Sequence, residues 1–466
     1  MKTECTFFRC HRARLVLFIA VFLPTLAIAA MDSTLEIGLA VRDVTPELPI
    51  RLAGYAGRKR PADKLDHPLL AQALALKNPT GERFVFVALD TCIVGRAFIQ
   101  PVLEQCAEKF QLGPGTVAVV CSHTHSAPVL EASLTDMVQP TAEEREHIAR
   151  YSRLLQSRLV EVVGAALADC QLTLLERGLS RATFAVNRRL YDGDHVRLTD
   201  NPDGPVDWDV PVLRVKATNG AVRAVVFGYA CHGTCIRGGD DWYVVCGEYM
   251  GYARQQLEAL QPGAMAMFLT GMGADSDPTP RGGLLETKRH GLELAGAVMG
   301  VLNRHMQPVR GGFKLAYDEV ELPLKTPPTQ EQLEKDASGQ DVYVKLRAEN
   351  YLKLLKAGQP LPESVKLPLA ALRLGDDLTF VLMGGEVVVD YSRRIKRVYA
   401  ADRPWTVGYA YHIPCYIPTT RLIKEGGYEV DSSMIYYGFY GPFRVGIEDI
   451  VFKRLERVID TLRAKP

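Results

Sequence analysis

Six short apolar, β-branched runs recur along this chain, at residues 84–89, 116–121, 212–215, 222–230, 265–269 and 378–383. Each has the length of a strand and is bounded by polar, Pro- or Gly-containing segments. Helix-like stretches at 98–110, 141–167, 248–260, 286–305 and 389–399 lie between them. The clearest of these opens on Thr141 with Glu144 three residues on, a pattern in which each side chain satisfies the other's backbone N–H. Strands interleaved with helices leave few ways to bury both. They predict an α/β fold, with mixed sheets flanked by helices and largely buried. Residues 327–363 have a different texture, rich in Lys, Glu and Gln and ending in Pro-rich turns. They are expected to form a helical surface insertion in one catalytic domain spanning 30–466.

The N-terminus reads as a segment outside that fold. Lys2, Arg9, Arg12 and Arg14 make a basic start, an apolar run follows at 15–23, and Ala27 and Ala29 supply small residues for cleavage. That order predicts a signal peptide over 1–29 and a secreted or periplasmic protein; the run is short for the ~20 residues of a membrane span. An uncleaved N-terminal anchor is the alternative. Removing 1–29 takes four basic and one acidic residue from totals of 55 and 54, leaving 51 against 53. With no strongly basic stretch, nucleic acid is not an expected partner. Eight cysteines follow residue 29: Cys92, Cys106, Cys121, Cys170, Cys231, Cys235, Cys246 and Cys415. They lack paired CxxC spacing, which argues against a thiolate zinc site, and several end apolar runs where a buried thiol is expected. Disulfides remain open for the others.

Three polar residues stand at the ends of apolar runs. Cys121-Ser122-His123-Thr124-His125-Ser126-Ala127-Pro128 places two histidines at i and i+2, which point to one side if the chain is extended. A strand end delivers such groups to the mouth of a sheet, where α/β enzymes place their sites. Neutral imidazole serves there as zinc ligand or proton carrier; the bland alternative is polar surface. His232 follows 222–230 in the same manner, as ligand or as structural histidine. Glu386 follows 378–383 and a Gly pair, where a buried carboxylate needs a metal or a counter-charge such as Arg393 or Arg394.

The segment with His123 and His125 closely resembles the SHTHSGP-type motif of the neutral ceramidases. Gly38 to Pro46 with Gly54-Tyr55-Ala56 resembles that family's opening segment, and Asn187-Arg188 its Asn-Arg motif. Gly271 to Pro278 is similar to its glycine-rich loop, and Tyr416-Ile417-Pro418-Thr419-Thr420 to its Tyr-Ile/Val-Thr-Thr segment, all in the family's order. The resemblance implies a neutral-ceramidase-like catalytic domain with Zn2+ held by His123, His232, Glu386 and Tyr416. It further implies that His125 handles protons or holds the substrate, and that Arg188 and Tyr428 orient the scissile amide. The expected activity is hydrolysis of an N-acyl amide, ceramide among the candidates, by zinc-activated water. The expected partner is a small-molecule or lipid amide, with peripheral membrane contact open.

Two departures qualify this. Asp277 stands where the ceramidases carry a serine before the proline, with Ser276 one residue early. A carboxylate is not a hydroxyl donor, so Asp277 points to a more polar or cationic substrate group. The alternatives are a shifted loop that brings Ser276 in, or an Asx-turn. The smaller C-terminal β domain of the ceramidases is expected to be absent. A related metallohydrolase of another amide or ester, or a non-catalytic binding protein on the same scaffold, therefore stays open. As a test of the N-terminal reading, protein recovered outside the cytoplasm should yield an N-terminal sequence starting at Ala30. Recovery with residue 1 or 2 intact would make the segment an anchor.

Overall fold

The apolar runs build two sheets around a shared interior. A computed structural model describes residues 1, 2, 4 and 35–463. The expected signal segment, 1–29, thus falls almost wholly outside the described residues. The sheets and helices of the described residues belong to the unit Ser33–Pro466. Its largest sheet runs in the order Met265–Thr270, Val222–Tyr229, Asp209–Ala217, Gln171–Arg181, Glu36–Asp43, Leu70–Lys77, Arg83–Leu89 and Val117–Cys121. The strand Gln307–Val309 pairs alongside Gln171–Arg181. Only two residue pairs, Glu36–Leu172 and Ile37–Gln171, join its two halves. The four-stranded sheet of Phe313–Pro323, Ser364–Leu374, Leu378–Met383 and Pro404–Val407 shares an apolar cluster with both halves.

One apolar cluster ties these surfaces together. Phe86 and Val120 come from one half, Val226 and Met267 from the other, and Phe380 and Trp405 from the second sheet. Burying side chains of this size contributes roughly 1.5–3 kcal/mol each. Helices cover the outer faces. Arg96–Phe110 and Ala142–Ala168 lie over one half and Glu248–Leu260 and Leu284–Leu302 over the other. Ile447–Arg463 lies over the second sheet, with Ile447, Val451, Leu455 and Ile459 on its buried stripe.

The α/β expectation holds, with mixed sheets flanked by helices. The capping box is present: Glu144 N donates to Thr141 Oγ1 at 3.2 Å and Thr141 N to Glu144 Oε2 at 2.9 Å. Residues 327–363 form the helices Gln330–Ala337 and Val342–Lys356, with a small cluster of their own around Leu333, Ala348 and Tyr351. The eight cysteines from Cys92 to Cys415 are free thiols, all buried but Cys170. Among the described residues no helix is long and apolar enough to cross a membrane.

What positions the site is strand direction. Val117–Cys121 runs parallel to Arg83–Leu89, Val222–Tyr229 to Met265–Thr270, and Leu378–Met383 to Pro404–Val407. The carboxyl ends of these pairs meet at one end of the interior, through an isolated bridge between Thr124 and Gly233 and another between Val120 and Ala410. Gly38 sets the approach of the Ala142–Ala168 helix to the sheet, since a Cβ there would lie 1.8 Å from the Ala166 carbonyl oxygen. Gly38→Ala should therefore lower the urea midpoint at unchanged slope, costing about 1–3 kcal/mol. An unchanged midpoint would mean that this contact does not set the packing.

Candidate active site

The turn after Val117–Cys121 is not extended: His123 adopts φ 59°, the left-handed region that a non-glycine residue rarely occupies. Such a conformation costs roughly 1–3 kcal/mol and persists only when its surroundings impose it. Here Ser122 N donates to Leu89 O at 2.8 Å, Cys121 N to Tyr409 O at 3.1 Å and His125 N to Gly233 O at 3.1 Å. The two histidines still meet, with their Nε2 atoms 3.2 Å apart, but through this kink and not through an extended i, i+2 pair. His232 leaves the neighbouring strand end and donates its backbone N–H to Ser276 O at 3.0 Å. Glu386 follows Gly384 and Gly385. A Cβ on Gly384 would fall 2.7 Å from His412 O, and Gly385 needs φ 80°. The short strands Glu386–Val387 and Tyr416–Ile417 pair in parallel, which sets Glu386 directly opposite Tyr416.

These segments bring His123, His232, Glu386 and Tyr416 together, each at most 4% exposed. Glu386 Oε2 lies 3.2 Å from His123 Nε2 and 3.3 Å from His232 Nε2. Ligand-type atoms of these three residues all fall within 4.8 Å of one another. The Tyr416 hydroxyl is 3.3 Å from His232 Nε2. His123 Nδ1 donates to the Cys92 carbonyl at 2.8 Å, which leaves the Nε2 lone pair facing the carboxylate. Two imidazoles and a carboxylate converging on one point suit a zinc ion, and a phenol beside them can add a fourth ligand. Cys92, His123 and His125 also cluster. That group is a poorer cradle, because the His123 Nδ1 on the Cys92 side is already spent on the carbonyl. Glu386 pairs with neither Arg393 nor Arg394; Arg394 reaches Glu448 instead, at 2.6 Å.

Electrostatics in the cluster are governed by Glu386. Burial opposes its charge, but His123 and His232 hold its carboxyl well below the usual range. Burial also opposes charge on His123, yet Glu386 and Cys92 outweigh it and raise the imidazole to about 10. His232 is lowered to about 4 by burial, Arg188 and His123. The carboxylate thus calls for one positive charge at the Nε2 atoms, which a proton or a metal cation can supply. His125 is kept well below its ordinary value by burial and by His123 and His232. Its ring is fixed from behind by Gly54, whose Cβ would sit 2.3 Å away, and by the Tyr55 ring at 4.7 Å. Arg58 Nη1 donates to the His125 carbonyl at 2.6 Å.

Arg188 borders the cluster but spends its donors on the protein. Nε donates to Glu429 Oε1 at 2.8 Å, Nη1 to Asp277 Oδ1 at 3.3 Å and Nη2 to the Tyr416 hydroxyl at 3.0 Å. Tyr428 lies against both, its ring 5.7 Å from the Arg188 guanidinium and 5.7 Å from the Tyr416 ring. Asp277 is 3% exposed and also accepts from Thr234 Oγ1 at 3.0 Å and from Arg281 Nη1 at 2.6 Å. Burial opposes its charge, but Arg188, His232 and Arg281 hold the carboxyl below its usual value. Within the chain, the Asp277 charge is met by Arg188 and Arg281. Ser276 precedes it in the strand Ser276–Pro278, so the two side chains point to opposite faces and Ser276 does not replace it. No Asx-turn forms, since the partners of the Asp277 carboxylate are side chains.

The structure adds residues that had no sequence signal of their own. Tyr437 donates its O–H to Glu386 Oε1, and Tyr409 donates to Oε2 at 3.3 Å. Glu429, buried beside Tyr428, pairs with both Arg188 and Arg189.

A sequence profile described as neutral/alkaline non-lysosomal ceramidase, N-terminal, matches residues 35–273, half of the chain. Neutral ceramidase B of Dictyostelium discoideum is 24% identical over 234 residues, covering 48% of this chain and 31% of that protein. Neutral ceramidase of Oryza sativa subsp. japonica is 26% identical over 136 residues, 27% of this chain and 17% of that one. The matched stretches thus span less than a third of either relative. A solved structure of neutral ceramidase from Pseudomonas aeruginosa superposes with a TM-score of 0.67 at 19% identity, covering 91% of this chain and 73% of that one. At that identity the likeness shows the fold alone.

The internal pairing of Asp277 has a measurable consequence. Asp277→Asn should cost about 1.5–3 kcal/mol in urea unfolding, because Arg281 and Arg188 lose a charged acceptor while Arg188 keeps Glu429. In a double-mutant cycle with Arg281→Met the two losses should be non-additive by roughly 0.5–3 kcal/mol. Near-zero loss for Asp277→Asn would mean that its charge is not compensated from within.

Proposed function

The chain belongs to the neutral/alkaline non-lysosomal ceramidase family, and we propose that it is a zinc-dependent hydrolase of the amide bond in a ceramide-class N-acyl lipid. The observation that carries this reading is the buried meeting of His123 Nε2, His232 Nε2 and the Glu386 carboxylate, with the Tyr416 hydroxyl beside them. Export through residues 1–29 is part of the proposal.

A zinc ion at these atoms supplies acidification of water from a pKa of 15.7 to about 7 and polarisation of the amide carbonyl. His123, His232, Glu386 and Tyr416 would hold it. The chain's own groups do the rest. His123 is fixed in one tautomer by its Nδ1–H bond to the Cys92 carbonyl, and so presents Nε2. Arg188 orients the Tyr416 oxygen through Nη2 while Glu429 and Asp277 fix the guanidinium. This makes Arg188 a positioning residue more than a direct carbonyl contact. Burial, foremost, raises the Tyr428 pKa, so it remains an O–H donor able to offset charge on a tetrahedral oxygen. His125, a neutral base beside His123, takes a proton from water at Nε2 and returns it to the amine nitrogen, which otherwise leaves poorly. Depth also excludes bulk water from the reacting atoms, which strengthens each of these interactions.

A second reading, a related hydrolase of a different amide or an ester, is favoured by Asp277 where the family has a serine: an ion pair with Arg281 stands there in place of a hydroxyl. The test is fatty-acid release from a long-chain ceramide by purified protein, before and after chelation and after zinc return. Release that disappears with chelator and recovers with zinc is the expected result. A folded, zinc-loaded chain that leaves ceramide intact but cleaves a polar N-acyl amide or ester would favour the second reading. Turnover of none of them would leave a binding protein.

A further inference from the structure

We infer that Tyr437, assisted by Tyr409, is a positioning residue that reserves one oxygen of Glu386 for the metal and ties up the other. The inference rests on the zinc-dependent reading above. The two oxygens of Glu386 are not equivalent. Oε2 faces both histidines, at 3.2 and 3.3 Å, while Oε1 accepts the Tyr437 O–H. Tyr409 O–H approaches Oε2 from another side, at 3.3 Å. An ionised carboxylate has about four lone-pair directions and can offer a cation one oxygen or two. With His123, His232, Glu386 and Tyr416 as ligands, one oxygen from Glu386 would leave a fifth position for water, a coordination number that catalytic zinc sites reach. A carboxylate swinging both oxygens inward would take up that position. A phenol donor on Oε1 opposes the swing, because turning Oε1 inward would leave the Tyr437 hydroxyl without its acceptor at a half-buried position.

Tyr437 is well placed for this and little else. It belongs to none of the strands that deliver the proposed ligands, and follows the 3-10 turn Ser432–Ile435. Its ring meets Tyr416 edge-on with centroids 6.3 Å apart. Its other side lines a cavity of about 360 Å³ together with Ile93, Leu134, Ile413 and Phe439. Tyr409 is held more rigidly: it is 1% exposed, its ring lies 4.4 Å from that of His123, and its backbone carbonyl receives the Cys121 N–H. Tyr437 is therefore the replaceable half of the clamp. Removing its hydroxyl should alter the metal site without disturbing the strand ends.

The experiment compares wild type, Tyr437→Phe and, as a neighbour without contact to Glu386, Tyr436→Phe. Zinc affinity is read by competition with a chromophoric chelator, and the coordination of substituted Co2+ by its visible absorption. Tyr437→Phe should bind zinc about 10- to 100-fold more weakly, as loss of an outer hydrogen bond to a ligand typically does. Its Co2+ visible band should shift and change intensity relative to wild type as the second Glu386 oxygen enters the coordination shell. Tyr436→Phe should match wild type in both. Tyr437→Phe matching wild type in affinity and spectrum would overturn the clamp alone. Wild type taking up neither metal would overturn the zinc-dependent reading and the clamp with it.

Discussion

Glu386 carries its charge at a depth where an unpaired carboxylate would cost several kcal/mol. Everything at this end of the molecule answers that cost. Two imidazoles, two phenol hydroxyls and the edge of a parallel strand pair converge on it from segments far apart in the chain. The strained turn at His123 becomes intelligible in that light. Its backbone is tied to Leu89, Tyr409 and Gly233, so the carboxylate's first partner is fixed by three separate strand ends. Stability and chemistry are coupled here: the hydrogen bonds that close the seam between sheets are also the ones that aim the ring nitrogens.

A second charged layer lies behind the first. Arg188 joins Asp277, Glu429 and Tyr416, and Arg189 reaches Glu429 and Glu425. Each of these ions is costly alone and tolerable only as part of the set. The carboxylate at 277 is accompanied by Arg281 four residues on, so the departure from the family's serine comes with its own counter-ion. The local change is therefore one of shape and hydrogen-bonding character beside His232, with little net charge added.

The parts of this arrangement legible in the sequence share one property: the signal is local. His123, His232 and Glu386 stand out because each ends an apolar run, and the Thr141 cap because both halves lie within one turn. Strands such as Gln171–Arg181 gave no such signal. Much of that strand is only partly buried, and its charged residue Glu176 is matched by Arg214 and Lys216 on the next strand, a pairing that exists only after folding. Tyr409, Tyr437 and Glu429 were illegible for the same reason. A tyrosine or glutamate between ordinary neighbours acquires a role only from what the fold sets opposite it. The internal partners of Asp277 were illegible for the same reason, because they lie 4 and 89 residues away in the chain.

The cavity behind Tyr437 gives this geometry a pharmacological side. Neither His123 nor His232 lines it, yet its wall includes the ring whose hydroxyl holds the metal-facing carboxylate. A small molecule lodged there would press on the clamp from outside the reacting atoms. Such a ligand would act on Glu386 through Tyr437 while leaving His123 and His232 uncovered.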